Sequence, residues 1–260
     1  MDEITISKAI VDSYTRDFLD FLDVDVAVVG AGPSGLVAGY YLARKGVKTA
    51  IYERRLSVGG GMWGGGMMFS RIVVEAEAKG ILDEFGVTAQ EYQEGYYIAD
   101  SLEAVSTMCS QAVKAGVRIF NLITVEDIMI REDDRVAGLV LNWSAVELAH
   151  LHIDPLTIRS KLVIDATGHD AEVCQIVARK IGPKLRTTTG GVIGEKSMWA
   201  EVGESELLKN TKEVYPGLIA AGMAVNAVFG LPRMGAIFGG MLLSGKKAAE
   251  LAVSMMEVKK

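Results

Sequence analysis

Histidine and aspartate side chains near the middle of the chain are spaced so that they could bind a metal ion or move a proton. The sequence has three histidines, His150, His152 and His169, and Asp154 stands two residues after His152. Imidazole is the commonest ligand of transition metals and titrates near neutral pH. In an extended segment the side chains at 150, 152 and 154 share one face. The pattern predicts a metal or acid–base site, and the alternative is that scattered core or surface histidines fall together by chance.

A buried strand is predicted directly before His169. The run Leu162–Ala166 is apolar except for Asp165, and Asp170 follows His169. A short apolar run of this kind is typical of a buried strand. Because open α/β sheets bind ligands at the carboxyl ends of their strands, we expect His169 at a ligand-binding edge.

The strongest single motif is a glycine loop between a predicted strand and a predicted helix. Gly30, Gly32 and Gly35 match the pattern G-x-G-x-x-G, after a strand at Val24–Val29 and before a helix at Leu36–Arg44. In dinucleotide-binding proteins these glycines make the tight turn, admit a pyrophosphate and let the helix pack on the sheet. The helix N-terminus then presents free N–H groups to the phosphates. Glycines that merely pack are the alternative.

Glu53 strengthens the prediction of a nucleotide site. It ends the next predicted strand, Lys48–Tyr52. This lies about 20 residues after the glycine loop, where a carboxylate accepts hydrogen bonds from the ribose hydroxyls. A carboxylate favours a 2′-hydroxyl over a 2′-phosphate, so we expect NAD or FAD and not NADP.

A second glycine cluster, Gly59–Gly66, follows this carboxylate. Many glycines in a short span cost backbone entropy, which a chain tolerates where a ligand must approach the main chain. A floppy surface loop is the alternative, but Met62 and Trp63 are unusual residues for one. We expect a loop that covers the ribose and pyrophosphate.

Arg233 is the only charged residue of an apolar, glycine-rich segment. No other Lys, Arg, Asp or Glu occurs between positions 223 and 243. A buried arginine is costly unless an anion pairs with it. We therefore expect it to bind a substrate carboxylate or phosphate bidentately. An arginine that snorkels to solvent at the rim of a helix is the alternative.

Composition and charge limit the class of protein. A chain of 260 residues with 29 glycines suits a single α/β domain, and the net charge of −6 argues against a nucleic-acid surface. Cys109 and Cys174 are too few for a disulfide framework, and no signal peptide is recognisable, so a reducing cytoplasm is expected. Pro232 and Arg233 interrupt the apolar stretch Gly217–Leu243, so no membrane span is expected.

The other elements follow from periodicity. Residues 1–22 predict an amphipathic helix, and about 117–160 a β-rich insertion with a hairpin turn at Arg131–Arg135. Ser101 is the predicted N-cap of the helix Leu102–Ala115. The remaining predicted elements are a strand at Leu218–Ala221 and helices at Val73–Phe85, Leu102–Ala115, Val173–Ile181 and Gly235–Met256.

Together these motifs resemble known proteins over most of the chain, from about Asp23 to Leu251. Their order is similar to that of the glutathione-reductase-like, Rossmann-type nucleotide-binding fold, many of whose members bind FAD. More narrowly, segments 59–67, 167–170 and 231–240 resemble the signatures of the thiamine thiazole synthase family. This is a family of enzymes.

The resemblance implies that NAD is consumed as a substrate. Nicotinamide would leave, the exposed ribose would isomerise, glycine would condense with it as an imine, and sulfur would close the ring. The product would be an ADP-linked thiazole carboxylate for thiamine biosynthesis, and Arg233 would bind the glycine carboxylate. The implied nucleotide-binding positions are Gly30, Gly32, Ser34, Gly35, Glu53, Arg54, Gly61, Val125, His152, Ile153, Asp154 and Met223.

His152 departs from the pattern of the eukaryotic members, in which a cysteine at this position gives up its own sulfur. The chain instead resembles the archaeal branch, in which sulfide is the donor, Fe²⁺ mediates the transfer and the enzyme turns over repeatedly. This implies a transferase with Asp154 and His169 as iron ligands, Asp154 coming from a neighbouring subunit of a homo-oligomer, an octamer in the family. His152 would act as an acid or base or only line the pocket, and His150 is expected to be structural.

Two other functions stay open at this stage. A flavin-dependent oxidoreductase on the same fold would hold yellow FAD after purification. A non-catalytic NAD-binding module would bind NAD without consuming it, and changing Asp154 or His169 to Ala would have no effect.

Overall fold

A largely parallel sheet forms the centre of the fold. The computed structural model describes residues 1–257. The strands of the main sheet are β1 (Asp23–Val29), β2 (Thr49–Glu53), β6 (Arg118–Asn121), β7 (Ile123–Arg131), β8 (Arg135–Trp143), β9 (Leu156–Asp165), β10 (Lys212–Tyr215) and β11 (Leu218–Ala220). Strands β11, β9, β1, β2 and β6 lie side by side in that order and are parallel. Their many Val, Ile and Ala residues suit strands buried on both faces.

Helices cover both faces of this sheet. They are α1 (Glu3–Asp20), α2 (Pro33–Arg44), α3 (Ala76–Phe85), α4 (Ser101–Ala115), α5 (Ser144–Leu148), α6 (Glu172–Ile181), α7 (Ala200–Asn210), α8 (Met223–Phe229) and α9 (Gly239–Glu257). Val26 and Val28 face the core formed with α2, α4 and α9, whereas Ala27 and Val29 face the core formed with α6 and α8. This follows from the alternation of side chains along a strand. The predicted α/β class with a Rossmann-type parallel sheet is confirmed.

The strand order reverses between β1 and β9. The chain runs from β1 outward through β2 to β6, then returns to β9 on the other side of β1 and continues to β11. Val29 of β1 lies opposite Asp165 of β9, so the carboxyl ends of these two strands are level. Open α/β sheets bind ligands in the crevice at such a switch point. The fold therefore places the glycine loop beside the turn that carries His169.

The region 117–160 contains the predicted antiparallel hairpin. Strands β7 and β8 pair around a turn at Glu132–Asp134, and β8 also pairs with the first half of β9. Strand β6, however, belongs to the parallel sheet, since Ile119 pairs with Ile51 of β2. Periodicity missed α7, α8, the short helix α5 inside this region, the strand β10 and a separate antiparallel sheet. That sheet consists of β3 (Arg71–Glu75), β4 (Ala89–Gln93) and β5 (Tyr96–Asp100).

Two helices begin later in the chain than predicted. The helix predicted from Val73 begins at Ala76, because Val73 instead pairs with Ile98 of β5. The final helix begins at Gly239 and not at Gly235, whose φ of +79° is outside the helical region. The four residues thus removed from the final helix lie in the loop that follows Arg233.

The predicted N-cap of α4 is also wrong by one residue. Asp100, and not Ser101, caps the helix, because its Oδ1 accepts hydrogen bonds from the backbone N–H groups of Leu102 (2.8 Å) and Glu103 (3.1 Å). The Ser101 hydroxyl instead donates to the backbone carbonyl of Trp63 at 3.3 Å. It thereby ties α4 to the second glycine loop.

The predicted N-terminal helix exists as α1, but it packs little on the rest of the chain. None of its residues is buried. Phe18 contacts Phe120 edge to face, while Ile4, Ile10 and Val11 are exposed. Among residues 1–257, no helix is both long enough and apolar enough to cross a bilayer.

Candidate functional site

The glycine loop lies at the switch point, and each of its glycines has its own geometric reason. Gly30 has a φ of +95°, and a Cβ there would lie 2.5 Å from the carbonyl oxygen of Ala166. A Cβ on Gly35 would collide with the carbonyl oxygen of Gly30. The Cβ position of Gly32, in contrast, has no atom within 4 Å. The backbone at Gly32 therefore faces open space, as a pyrophosphate-binding loop requires.

Ser34 in the first turn of α2 has an unused hydroxyl that faces this space. Helix α2 begins at Pro33, directly after Gly32. The Ser34 Oγ is buried without a hydrogen-bond partner, and Ser34 lines the cavity described below. A buried polar atom without a partner is costly. This hydroxyl therefore has a hydrogen bond to offer beside a helix N-terminus, where an anion can bind.

Glu53 is held rigidly at the end of β2. The residue is 7% exposed. Its Oε2 accepts a hydrogen bond from the backbone N–H of Ala31, and its Oε1 accepts one from that of Arg55, both at 2.8 Å. Each carboxylate oxygen keeps a further lone pair. Glu53 is thus fixed to the glycine loop and can still accept hydrogen bonds from a ligand.

The second glycine cluster packs directly against the first. The backbone N–H of Gly59 donates to the carbonyl oxygen of Ala31 at 2.8 Å, and a Cβ on Gly60 would lie 3.1 Å from the Cα of Gly32. The segment Gly60–Gly64 forms a single 3-10 turn. Its Met62 side chain is buried. This loop is therefore a structured wall of the site and not a floppy surface loop.

These elements enclose a cavity of about 450 Å³ at the switch point. Gly32, Ser34 and Gly61 line this cavity, and so do His169 and Arg233. Met223, at the start of α8, also lines it. The cavity thus joins a phosphate-binding type of loop to an imidazole and a guanidinium.

A second cavity of about 360 Å³ is lined by Val125, together with Arg54, Asp170 and Glu172, which also line the first. Arg54 pairs with Asp170 at 3.2 Å and with Glu172. Burial lowers the pKa of Arg54, but Glu172 and Asp170 outweigh this and raise it. Burial raises the pKa of the Glu172 carboxyl, and Arg54 opposes that rise. A guanidinium has five N–H donors, so Arg54 can hold these carboxylates and contact a ligand as well.

His169 is positioned by a tight turn at the end of β9. Asp165 is fully buried. Its Oδ1 accepts hydrogen bonds from the N–H and hydroxyl of Thr167, and its Oδ2 accepts one from the N–H of Cys174 at 2.9 Å. This carboxylate fastens the turn 168–170 to the start of α6. Asp165 is therefore structural, which separates it from the predicted metal-binding residues.

Glu195 contacts both His169 and Arg233, two residues that line the first cavity. Its Oε1 and Oε2 lie 2.9 and 2.8 Å from the Nδ1 of His169. Its Oε2 also lies 3.8 Å from the Nε of Arg233. Glu195 is not predictable from the sequence, because it is 26 residues from His169 and belongs to no predicted helix or strand. Only the Gly190–Gly194 stretch before it, which indicates an irregular turn, offered a signal.

The prediction that Arg233 is buried is wrong. Its side chain is 60% exposed, although the segment around it is apolar. The apolar neighbours Met234 and Phe238 are buried, while the guanidinium lies at the mouth of the cavity. The desolvation argument therefore fails, and the position of Arg233 at the cavity is what makes it a candidate ligand-binding residue.

His152, Ile153 and Asp154 lie apart from this site in their own chain. They belong to an exposed, irregular segment between α5 and β9, and none of them lines either cavity. His150 has a φ of +52°, so the segment is not extended throughout. Within residues 1–257, no three His, Cys, Asp or Glu side chains gather closely enough for one metal ion. The histidine cluster suggested by the sequence does not form within one chain.

The fold and the site define a nucleotide-binding α/β protein of the dinucleotide type, with a glycine loop and a strand-end glutamate at the switch point. The model of the Thi4 family matches residues 7–238, and the chain belongs to this family. The resemblance seen in the sequence motifs is thereby confirmed.

Relatives match nearly the whole chain. The thiamine thiazole synthase of Methanothermobacter thermautotrophicus is 60% identical over 257 residues, covering 99% of both chains. That of Pyrococcus furiosus is 55% identical over 249 residues, covering 96% of both. A crystal structure of THI4 from Thermovibrio ammonificans superposes with a TM-score of 0.97 at 54% identity and covers 99% of both chains.

Proposed function

We propose that this chain is a thiamine thiazole synthase, a transferase that makes an ADP-linked thiazole carboxylate from NAD, glycine and sulfide with Fe²⁺. The observation that carries the proposal is the single cavity that joins the glycine loop to His169 and Arg233. The names of relatives that cover nearly the whole chain support an enzyme of thiamine biosynthesis.

NAD would lie along the first cavity with its adenosine end toward the second. Ser34 Oγ and the backbone at Gly32 and Gly61 would receive the pyrophosphate, because they supply an unused donor and open backbone. Glu53 would accept hydrogen bonds from the hydroxyl groups of the adenosine ribose. Arg54 and Val125 would then contact the adenosine end, since Arg54 lines both cavities and Val125 lines the second.

The other part of the cavity would hold the reacting carbons. Loss of nicotinamide frees the second ribose, which isomerises and condenses with the amine of glycine to an imine. Arg233 would bind the glycine carboxylate. Its exposure of 60% suits a residue that must capture a free amino acid from solvent. Holding the two reactants together in this way removes much of the entropic barrier to condensation.

The residues present fit a metal site shared between two copies of the chain. Nδ1 of His169 faces Glu195, so Nε2 is available for a metal, as in the usual carboxylate–histidine–metal arrangement. Asp154 would be the second ligand and would come from a neighbouring copy, because its exposed segment does not line the cavity of its own chain. When bound, Fe²⁺ would supply charge stabilisation that lets sulfide approach the imine-bearing intermediate. Two protein ligands leave coordination positions open for these small molecules.

The histidine at position 152 argues for an external sulfur source. Its imidazole contains no sulfur, and neither Cys109 nor Cys174 lines either cavity. Cys174 is also fully buried. Sulfide would therefore be a substrate, and one protein molecule would complete many reactions. The homo-oligomer follows from the same proposal, because Asp154 has to reach another copy.

Anaerobic incubation with NAD, glycine, sulfide and Fe²⁺, followed by mass analysis of the small molecules, tests the proposal. We expect released nicotinamide and an ADP-linked thiazole, both lost when glycine or Fe²⁺ is omitted. Absence of both products from the complete mixture would contradict the proposal. A yellow protein that retains FAD would support the flavin-dependent alternative, and NAD bound without being consumed would support the binding module.

A further inference from the structure

We infer that Glu195 is a positioning residue that orients both His169 and Arg233 for this reaction. The inference deepens the proposed function and rests on it. Glu195 contacts the imidazole through both carboxylate oxygens, at 2.9 and 2.8 Å, and the guanidinium at 3.8 Å. One carboxylate therefore links the proposed metal ligand to the proposed anchor of the glycine carboxylate.

Glu195 is the most enclosed member of this trio. Its side chain is 12% exposed, against 51% for His169 and 60% for Arg233. The two exposed side chains therefore rest on a carboxylate that is itself shielded from water. Shielding strengthens an electrostatic contact because less solvent screens the charges. This arrangement suits a group that holds its partners and does not react.

The backbone on both sides of Glu195 is fixed. The N–H of Gly194 donates to the carbonyl oxygen of Ala227 at 2.8 Å, and the N–H of Lys196 donates to that of Leu231 at 3.0 Å. The N–H of Arg233 in turn donates to the carbonyl oxygen of Lys196 at 3.2 Å. The segments that carry Glu195 and Arg233 are thus joined backbone to backbone. Their side chains keep a defined separation while Arg233 remains open to solvent.

The contact with His169 selects one form of its ring. An ionised carboxylate only accepts hydrogen bonds, so the contact favours a proton on Nδ1, and in the neutral ring this leaves the lone pair on Nε2. That is the form in which a histidine binds a metal through Nε2. Two carboxylate oxygens on one ring nitrogen also restrict rotation of the imidazole. Glu195 therefore presets the direction from which His169 would approach the metal.

The contact with Arg233 uses only one edge of the guanidinium. Glu195 lies near Nε, which leaves the two terminal nitrogens to face a substrate carboxylate as a bidentate pair. Without Glu195, the exposed arginine would keep its charge but lose the group that orients its fork. We therefore expect Glu195 to affect glycine binding as well as metal binding.

The direct test is anaerobic titration of the assembled protein with Co²⁺ alone, which reports metal binding through its visible absorption and needs no turnover. We expect E195Q to bind Co²⁺ roughly 10- to 100-fold more weakly than the parent, as loss of a carboxylate behind a ligating histidine does. The bound ion should also show an altered spectrum. E206Q is the matched control, since Glu206 pairs with Lys209 on the surface of α7 and should leave Co²⁺ binding unchanged.

Affinity for ADP serves as the check on folding, because ADP would occupy only the nucleotide part of the site. E195Q should bind ADP like the parent. If E195Q does not fold, E195D replaces it, since it keeps the charge but withdraws the carboxylate by one methylene. In the complete reaction E195Q should raise KM for glycine and lower kcat, with KM for NAD unchanged.

Parent-like Co²⁺ affinity in E195Q, with ADP binding intact, would overturn the inference. So would a parent protein that binds no Co²⁺. If the parent binds Co²⁺ but forms no thiazole, the proposed function fails, and the comparison of Co²⁺ affinities still decides the role of Glu195.

Discussion

Gly30 and Ala166 hold the ends of two neighbouring strands in contact: a Cβ on Gly30 would lie 2.5 Å from the carbonyl oxygen of Ala166. The contact joins the glycine loop after β1 to the turn after β9 that carries His169. The two segments to which the proposed function assigns the nucleotide and the metal are therefore linked through backbone that cannot accept a side chain at Gly30.

Substitution of this glycine should damage the fold as well as the site. G30A combines a strained φ of +95° with the collision at Ala166. A strained backbone residue alone costs about 1–3 kcal/mol, so we expect the unfolding free energy of G30A to fall by more than this. G46A is the control for strain alone, because Gly46 has a φ of +73° and open space around its Cβ position. Denaturant titration that gave equal losses for G30A and G46A would refute the contact as the cause.

Gly32 should behave in the opposite way. Its Cβ would enter open space in the cavity, so G32A should unfold at nearly the parent denaturant concentration. The added methyl group would occupy the path of the pyrophosphate, and we expect a large loss of ADP affinity by calorimetry. Parent-like ADP affinity in G32A would show that the phosphates do not approach this backbone.

Glu53 should determine binding of the adenosine ribose. In E53Q one oxygen becomes an N–H donor, which cannot accept from Ala31 or Arg55 or from a ribose hydroxyl. Hydrogen bonds to charged groups contribute about 1.5–3 kcal/mol, so ADP affinity should fall roughly tenfold or more. E84Q is the matched control, since Glu84 pairs with Arg44 outside the cavities. Equal ADP affinities in E53Q and E84Q would contradict the assignment.

The parts of the site that were predictable from sequence are local in the chain. Gly30, Gly32, Gly35 and Glu53 form a recognisable pattern because a dinucleotide imposes fixed spacings on one strand–loop–helix unit. Glu195 has no such pattern, because it reaches the site only through tertiary packing.

Arg233 shows a different limit of sequence analysis. Its apolar neighbours predict burial. Sequence hydropathy does not show that this one side chain lies at the mouth of a cavity, where it is exposed to water. Val73 is wrongly predicted to begin a helix because its partner lies far along the chain. Periodicity over a short window could not show that Ile98 would pair with it in an antiparallel sheet.

Glu204, which lines neither cavity, makes the stability of the protein depend on pH. Burial, with a smaller contribution from Glu75, raises the pKa of its carboxyl from 4.5 to about 7, while the N–H of Gly240 opposes the rise. Between these values the folded state holds a proton that the unfolded state has lost. The contribution of the protonated Glu204 carboxyl to the free energy of unfolding is therefore complete below pH 4.5 and is lost as pH rises to about 7.

E204Q removes this titration. Because a shift of one unit corresponds to about 1.4 kcal/mol, its unfolding free energy relative to the parent should rise by up to about 3 kcal/mol between pH 5 and pH 8. Denaturant titrations at both pH values measure the change, with E206Q as a half-exposed control on the same helix. A difference between E204Q and the parent that stays constant with pH would rule out the raised pKa.

Asp154 and His169 should belong to one metal site but to different copies of the chain. D154A and H169A should each be inactive alone, whereas co-expressed mixtures should regain part of the activity, because some sites would combine an intact Asp154 with an intact His169. Co-expression of D154A with the double variant D154A/H169A is the control and should stay inactive. Mixtures that remain inactive while both variants fold would show that one copy supplies both residues.

A count of products formed per protein molecule with isotopically heavy sulfide tests most directly whether the sulfur comes from outside the protein. His152 in place of a sulfur donor predicts that every thiazole carries the heavy isotope and that many product molecules form per chain while NAD, glycine and Fe²⁺ are in excess. Mass spectrometry of both the thiazole and the intact protein measures this. A product with light sulfur, at no more than one per chain and with a matching loss of mass from the protein, would show that the protein gives up its own sulfur and would refute sulfide as the donor.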